Sequence, residues 1–316
     1  MAHDVLAAKL SVTVAEVREA LGPQYGSQVA KVELLSGGLL NSNFIVSGEG
    51  FRALLRVYPE NRNVDEIHFE METLKALVGS ECRVPEVLNG GQIGLVKGRP
   101  FILLEFLDGK TLSDDDLSLG LAGEAGEMLG HFHAALRGFV PTHHKGRHDI
   151  SYIVDLLIET QESVGGEGAE VLAEYAERVW QATGDADEWG EPDGVVHADY
   201  YVENLIRLNG GTLALIDFDD SYYGSTFFDV AIGAMEFSAR DDQSLDKARL
   251  DAFINRYKAV DSHLLHPFER LKDAMMVNCL RFLCYTAPLT LDEGDDLRQN
   301  PYVQRIDVLL SVDSKL

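Results

Sequence analysis

The sequence has no unbroken run of about eighteen apolar residues, so no transmembrane helix is expected. It also lacks the basic start and long apolar stretch of a signal peptide. Its first residues, MAHDVLAAKLSVTVAEV, mix acidic with apolar side chains and read as a short amphipathic helix. Cysteine is scarce: Cys82, Cys279 and Cys284 are too few and too scattered for a disulfide framework or a zinc site. These absences predict a soluble cytoplasmic protein. Positive charge is in short supply as well, with 27 Lys and Arg against 52 Asp and Glu and a formal net charge of −25. A nucleic-acid binder needs clustered cations to displace phosphate counterions, and this surface would repel a polyanion. An anionic membrane surface is disfavoured for the same reason. No internal repeat or low-complexity segment stands out.

Apolar residues, by contrast, make up 46% of the chain and aromatics 9%, enough for well-formed cores. At 316 residues the chain exceeds what one core usually serves, so two packed lobes are expected. The acidic excess either draws in a cationic substrate, such as an amino alcohol, a polyamine or an aminoglycoside, or simply keeps the protein soluble.

Alternation and turn residues predict strands over Lys31–Leu35 and Asn43–Ser47, joined by the glycine-rich Ser36–Asn43. Further strands are expected over Phe51–Tyr58, Gln92–Val96 and Pro100–Phe106. Between them, Asp65–Val78 carries apolar residues at helical spacing. After Asp108–Gly109 the pattern turns helical: Gly120–Leu136, opened by a Ser113–Asp116 cap cluster, then Ile150–Val164 and Glu170–Thr183. A strand-rich island, Gly194–Asp219, precedes helices over Phe228–Phe237, Ser244–Val260 and Pro267–Tyr285. Residues 287–300 read as an acidic loop before a last helix. The expected fold is α+β, with a small antiparallel-sheet lobe over residues 1–105 and a mainly helical lobe over 106–316.

The island holds His197-Ala198-Asp199-Tyr200-Tyr201-Val202-Glu203-Asn204 and, a turn later, Ile216-Asp217-Phe218-Asp219-Asp220. Two carboxylates and an amide in paired strand–loop settings suit phosphoryl transfer. One carboxylate accepts the proton of an attacking hydroxyl, while the other and the amide oxygen hold magnesium against phosphates. The H-x-D-x-x-x-x-N spacing is that of the kinase catalytic loop, and the downstream hydrophobic-D-F makes chance agreement a poor explanation. Two other readings compete with it. In one, His197 and Asp199 form a hydrogen-bonded turn beside solvated acids; in the other they are metal ligands, which lacks support because no second histidine cluster has ligand spacing.

The island resembles the aminoglycoside phosphotransferase and choline kinase superfamily, whose loop reads HGDLHPGN followed by IDF or IDW. The likeness covers nearly the whole chain. SGGLLNSNFIV is similar to the family's nucleotide-covering hairpin, FILLEFLDG to its adenine-edge strand and interlobe linker, and MLGHFHAAL to its LAxLH segment, with His133 at the histidine. Tyr25–Gly26 and Asn41/Asn43 tilt the resemblance toward the homoserine-kinase-like branch. The resemblance implies a two-lobed protein-kinase-like fold and an ATP- and magnesium-dependent kinase acting on a small-molecule hydroxyl. It implies Asp199 as base, Asn204 and Asp217 as magnesium ligands, and Arg56 as the phosphate contact paired with Glu70. Gly37, Gly38, Asn43, Glu105 and Leu107 would meet the nucleotide. Asp229 and His197 would hold the catalytic loop.

The chain departs from that pattern in places. Arg56 stands where such kinases place lysine; it can still clamp phosphate oxygens, yet the exchange is not neutral. Ala198 replaces the loop glycine, and Tyr200 to Glu203 replace Leu-His-Pro-Gly, which puts the acceptor in doubt more than the chemistry. Asp219 and Asp220 either bind a cationic acceptor, assist magnesium, or are solvated turn acids. His131, His143, His144 and His148 read as surface or packing residues. A nucleotide-binding pseudoenzyme on the same fold is the alternative function. A protein kinase fits less well, because only about a dozen residues separate Asp217 from Asp229 and no APE triplet lies among them.

Overall fold

The computed structural model of the protein describes residues 10–35, 41–143, 150–184, 192–263 and 268–312. Helix α1 (Val14–Gly26) starts where Thr13 and Glu16 cap one another. The Thr13 hydroxyl accepts from the Glu16 N–H at 3.3 Å and the Glu16 carboxylate accepts from the Thr13 N–H at 2.7 Å. Residues 10–13 of the expected N-terminal helix are not helical, and α1 takes up only its end; residues 1–9 lie outside the described residues. Its final residue is a glycine for a steric reason: a Cβ on Gly26 would stand 2.2 Å from the Arg18 carbonyl oxygen.

Strands β1 (Lys31–Leu34), β2 (Ser42–Gly48) and β3 (Phe51–Val57) run antiparallel. After helix α2 (Val64–Leu77), strands β4 (Gly94–Val96) and β5 (Arg99–Glu105) complete a sheet of order β1-β2-β3-β5-β4. The period-2 alternation sends Phe44, Val46, Ala53, Leu55, Val57, Phe101 and Leu103 into one apolar cluster with Val17 and Leu21 of α1. Ile102 and Leu104 join a second cluster with Ile67, Met71 and Leu74 of α2. The sheet is thus covered by a helix on each face, and α2 is pressed toward the rest of the chain.

Strand β6 (Gly109–Thr111) leads to helix α3 (Leu119–Ala135). The cap of α3 is Ser118, which accepts from the Leu121 N–H at 3.2 Å. The expected Ser113–Asp116 cluster instead closes its own 3-10 turn at Asp114–Asp116. Helices α4 (Ile150–Val164) and α5 (Gly166–Thr183) follow, then β7 (Gly194–Val196), β8 (Leu205–Leu208), β9 (Leu213–Leu215) and β10 (Tyr222–Gly224). With β6 these strands form two small antiparallel sheets: β6-β8-β9, and β10 with β7. Helices α6 (Phe227–Glu236), α7 (Lys247–Val260), α8 (Leu271–Asp292) and α9 (Pro301–Ser311) finish the fold. Helix α3 lies unusually close to α7, since a Cβ on Gly126 would meet the Phe253 carbonyl oxygen at 2.1 Å.

Part of the acidic loop expected over 287–300 is helical, because α8 continues through Pro288 to Asp292. Proline removes the N–H that would serve the Cys284 carbonyl; the Thr160 hydroxyl, which donates to the Leu156 carbonyl at 2.7 Å, lies 3.5 Å from that oxygen. Asn300 donates to the hydroxyls of Thr286 and Thr290, both at 2.9 Å, pinning the last turns. Among the described residues, α8 is the one helix long and apolar enough by composition to cross a membrane, but 67% of its apolar window is buried inside the protein.

Candidate active site

Chain direction alone brings Asp199 to the end of β7, where the backbone leaves the strand and enters a 3-10 turn (Val202–Asn204). Two peptide groups before Asp199 are gripped by one buried carboxylate. Asp229, near the start of α6, accepts from the His197 N–H at 2.5 Å and the Ala198 N–H at 2.8 Å. His133 of α3 backs Asp229 at 3.2 Å through Nε2, and its Nδ1 lies 2.9 Å from the Tyr257 hydroxyl. His197 spans both halves of the island: Nε2 donates to the Ile216 carbonyl at 3.0 Å, and Nδ1 accepts from the Asp199 N–H at 3.3 Å. Burial lowers the His197 pKa, which suits a neutral ring holding the loop. Ala198 adopts a left-handed backbone with φ 70°, a conformation natural to the glycine it replaces.

Asn204 donates from Nδ2 to both the Asp199 carbonyl (2.7 Å) and the Asp199 carboxylate (2.9 Å). The Asn204 carbonyl accepts from the Ile216 N–H at 3.0 Å, tying the catalytic loop to the residue before Asp217. Asp199 is pushed up to about 7 by burial and by Asp220, against the pull of Arg281, with Asp217 adding to the rise. Asp217, itself left-handed at φ 67°, presents Oδ1 to Arg56 Nη1 at 3.1 Å.

Arg56 and Glu70 meet as expected, Nη1 to Oε1 at 2.8 Å, with both side chains almost fully buried. Burial works against the Arg56 charge, and Asp217 and Glu70 outweigh it, so its pKa lies above the ordinary value. Glu70 is raised by burial in spite of Arg56. Its second oxygen accepts from the Tyr58 hydroxyl at 2.7 Å. Asn43 lies opposite Arg56 in the β2–β3 ladder, so the two side chains share a face, and the Asn43 Oδ1 is buried without a hydrogen-bond partner.

The remaining expected nucleotide contacts are mixed. Glu105 uses its N–H on the Glu86 carbonyl at 2.8 Å, and its carboxylate pairs with Arg83 and accepts from the Glu86 N–H at 3.1 Å. Leu107 is buried just past β5. Gly37 and Gly38 lie outside the described residues, as do His144 and His148. His143 packs against α2, donating from Nδ1 to Glu72 at 2.8 Å and stacking on His68. Asp219 is not a solvated turn acid: it is buried and bonded to Arg62 at 2.7 Å.

Three residues escaped sequence reading. Arg62 and Glu66 flank the start of α2, and Arg281 comes from α8. The available signal for Arg281 was its position as a lone cation inside the apolar NCLRFLC run.

The donor set suits a hard cation. The Asn204 amide nitrogen is spent on Asp199, which leaves its oxygen for a ligand role, and Asp217 Oδ1 is buried beside the Arg56 guanidinium without a well-aligned hydrogen bond. An amide oxygen and a carboxylate are the oxygen ligands magnesium prefers. A carboxylate braced beside such a set, with an arginine clamped by glutamate nearby, can deprotonate a hydroxyl while phosphate charge is neutralised.

Comparison with known proteins agrees with this geometry. The phosphotransferase enzyme family model, APH, matches residues 31–263. The homoserine kinase of Phenylobacterium zucineum is 28% identical over 233 residues, 72% of this chain and 70% of that protein. The homoserine kinase of Pseudomonas aeruginosa is 27% identical over 251 residues, 78% of each. Among solved structures, a microcompartment-associated aminopropanol kinase superposes with a TM-score of 0.67 at 17% identity, covering 94% of both chains. An aminoglycoside phosphotransferase in ternary complex with AMP-PNP and hygromycin B gives 0.64 at 18% identity, covering 94% of this chain and 98% of its own. With most of its length matched by the family model, and with the α+β protein-kinase-like fold in place, this chain belongs to the APH phosphotransferase enzyme family and is a small-molecule kinase.

Proposed function

We propose that this chain transfers the γ-phosphoryl group of ATP to the hydroxyl of a small amino acid or amino alcohol, with homoserine the first candidate. The observation that carries this reading is the Asn204 amide holding the Asp199 carboxylate at 2.9 Å while Asp217 stands against Arg56 in the adjoining turn. The homoserine kinases among its relatives support the acceptor class, and the neighbour holding AMP-PNP supports an ATP donor. In this reading residues 1–105 form the nucleotide lobe and residues 106–316 the lobe that carries the base and the acceptor site.

Each residue then has a task. Asp199 accepts the proton of the acceptor hydroxyl. Arg56, fixed by Glu70, holds phosphate oxygens. Asn204 and Asp217 hold magnesium, which when bound neutralises charge on the transferring phosphate. Asn43 lies on the Arg56 face of the hairpin and lines the phosphate side. The acidic surface favours an acceptor that carries an amine, and it suits a cytoplasmic enzyme without a nucleic-acid or membrane partner. The pseudoenzyme alternative draws no support, since base, amide and second aspartate are all present and its relatives are named kinases.

An ADP-release screen tests the reading, run over homoserine, other hydroxy amino acids, amino alcohols, sugars and aminoglycosides with Asp199→Asn as the blank. Turnover is expected with one acceptor class, falling by roughly two or more decades in the variant. Measurable ATP binding without turnover on any acceptor would sink it.

A further inference from the structure

We propose that Arg281 is a positioning residue for Asp199, fixing from α8 the peptide carbonyl that immediately precedes the base. The inference rests on the kinase reading above. Arg281 is 2% exposed and sits among Cys279, Leu280, Leu283 and Cys284, all buried. A cation in such a place is costly unless it is paired, and an apolar side chain of similar size would fill the same volume more cheaply. What the guanidinium does there is specific. Nη1 donates to the Ala198 carbonyl at 2.5 Å, and Nη2 lies 3.7 Å from the Asp220 carboxylate. The group lies over the Phe282 ring at 4.9 Å and the Tyr285 ring at 5.6 Å.

The bonded carbonyl belongs to the same peptide group as the Asp199 N–H, which is turned to His197 Nδ1. On the other side of Ala198, Asp229 takes the N–H groups of His197 and Ala198. The residue before the base is therefore held by a buried anion on its N–H and a buried cation on its C=O. That residue is the left-handed Ala198, a conformation that costs energy in any residue with a Cβ and persists only where the surroundings over-determine it. Asp229 comes from α6 and Arg281 from α8, so neither can be replaced by local sequence. Together with Asn204 on the carboxylate, they set where Asp199 points.

The test compares Arg281→Met, Arg281→Lys, Asp199→Asn and the Arg281→Met/Asp199→Asn double variant in the full chain. Methionine keeps the volume and apolar packing but loses the bond to Ala198. Turnover of Arg281→Met should fall roughly 10- to 100-fold, the scale of losing one charged hydrogen bond that orients the base. KM for ATP should stay within about twofold, and Arg281→Lys should recover part of the loss. In the Asp199→Asn background Arg281→Met should change little, because no base is left to aim. A KM rise at constant turnover, an equal loss in both backgrounds, or a loss matched by the unfolded fraction in thermal melts would overturn the role. If Arg281→Met does not fold, Arg281→Lys in both backgrounds makes the same comparison. No wild-type turnover on any acceptor would overturn the kinase reading and this role together; wild-type turnover with unimpaired Arg281→Met overturns only the role.

Discussion

Arg62 places Nη2 2.7 Å from the Asp219 carboxylate and 3.0 Å from the Asp219 carbonyl, while its Nε lies 2.9 Å from Glu66. This pairing repeats, one helical turn earlier on α2, the Arg56–Glu70–Asp217 arrangement. Glu66 and Glu70 each hold an arginine, and each arginine reaches an aspartate of the Asp217–Asp220 turn. Helix α2 is fastened twice to the segment that carries Asp217.

The Arg62, Glu66 and Asp219 side chains are largely buried, so removing the guanidinium takes one cation from two poorly hydrated carboxylates. Arg62→Met should destabilise the fold by about 3–5 kcal/mol in urea unfolding. Combined with Asp219→Asn, the loss should fall short of the sum of the two single losses by about 1 kcal/mol or more. Additive losses would show that the pair is not coupled.

A single nitrogen of Arg56, Nη1, meets both Glu70 and Asp217. A lysine ammonium can make the same two contacts, so Arg56→Lys should keep Mg–AMP-PNP affinity within about tenfold, whereas Arg56→Ala should lose more than that. Calorimetric titration measures both. Unchanged affinity in Arg56→Ala would mean that another group holds the phosphates.

At Gly26 the constraint is purely steric. The added methyl of Gly26→Ala would press on the Arg18 carbonyl oxygen and shift the end of α1, at a cost of about 1–3 kcal/mol in thermal unfolding. Turnover per folded molecule should not change, because α1 packs on the face of the sheet away from Asp199.

Glu72 gives a pH signature. Burial acts to raise its pKa, but the His143 side chain and the N–H groups of Thr142 and His143 outweigh it, so the folded value lies below 4.5. A carboxylate lowered on folding adds stability above its unfolded pKa, and that stability is lost as pH falls through the folded value. Glu72→Gln should therefore be less stable than the wild type by about 1 kcal/mol at neutral pH, with the gap closing in acid below the usual carboxylate range. A gap independent of pH would show that the charge contributes nothing.

Asp199, Asn204 and Asp217 could be picked out in the sequence because they stand at short spacing along one island, whereas Asp229 was picked out only through the family resemblance; the structure brings all four together. Helical periodicity gave α2, and the resemblance singled out Glu70 on it, which the structure pairs with Arg56. The cap of α3 at Ser118 was misplaced, since capping depends on which of several nearby polar side chains reaches the first free N–H groups. The end of α8 was misplaced because Pro288 looks like a stop. The helix nevertheless runs on to Asp292, and Asn300, beyond its end, donates to Thr286 and Thr290 in its last turns.

The sequence by itself determined the reaction chemistry, the α+β layout and the residues that stand on the catalytic loop, because local spacing and periodicity encode them. The tertiary structure decided how that loop is held. Arg62 reaches Asp219 across 157 residues and Arg281 reaches Ala198 across 83. Contacts at such separation leave no periodic trace in the chain; they form because burial strips water from these charges and the fold brings distant partners within reach.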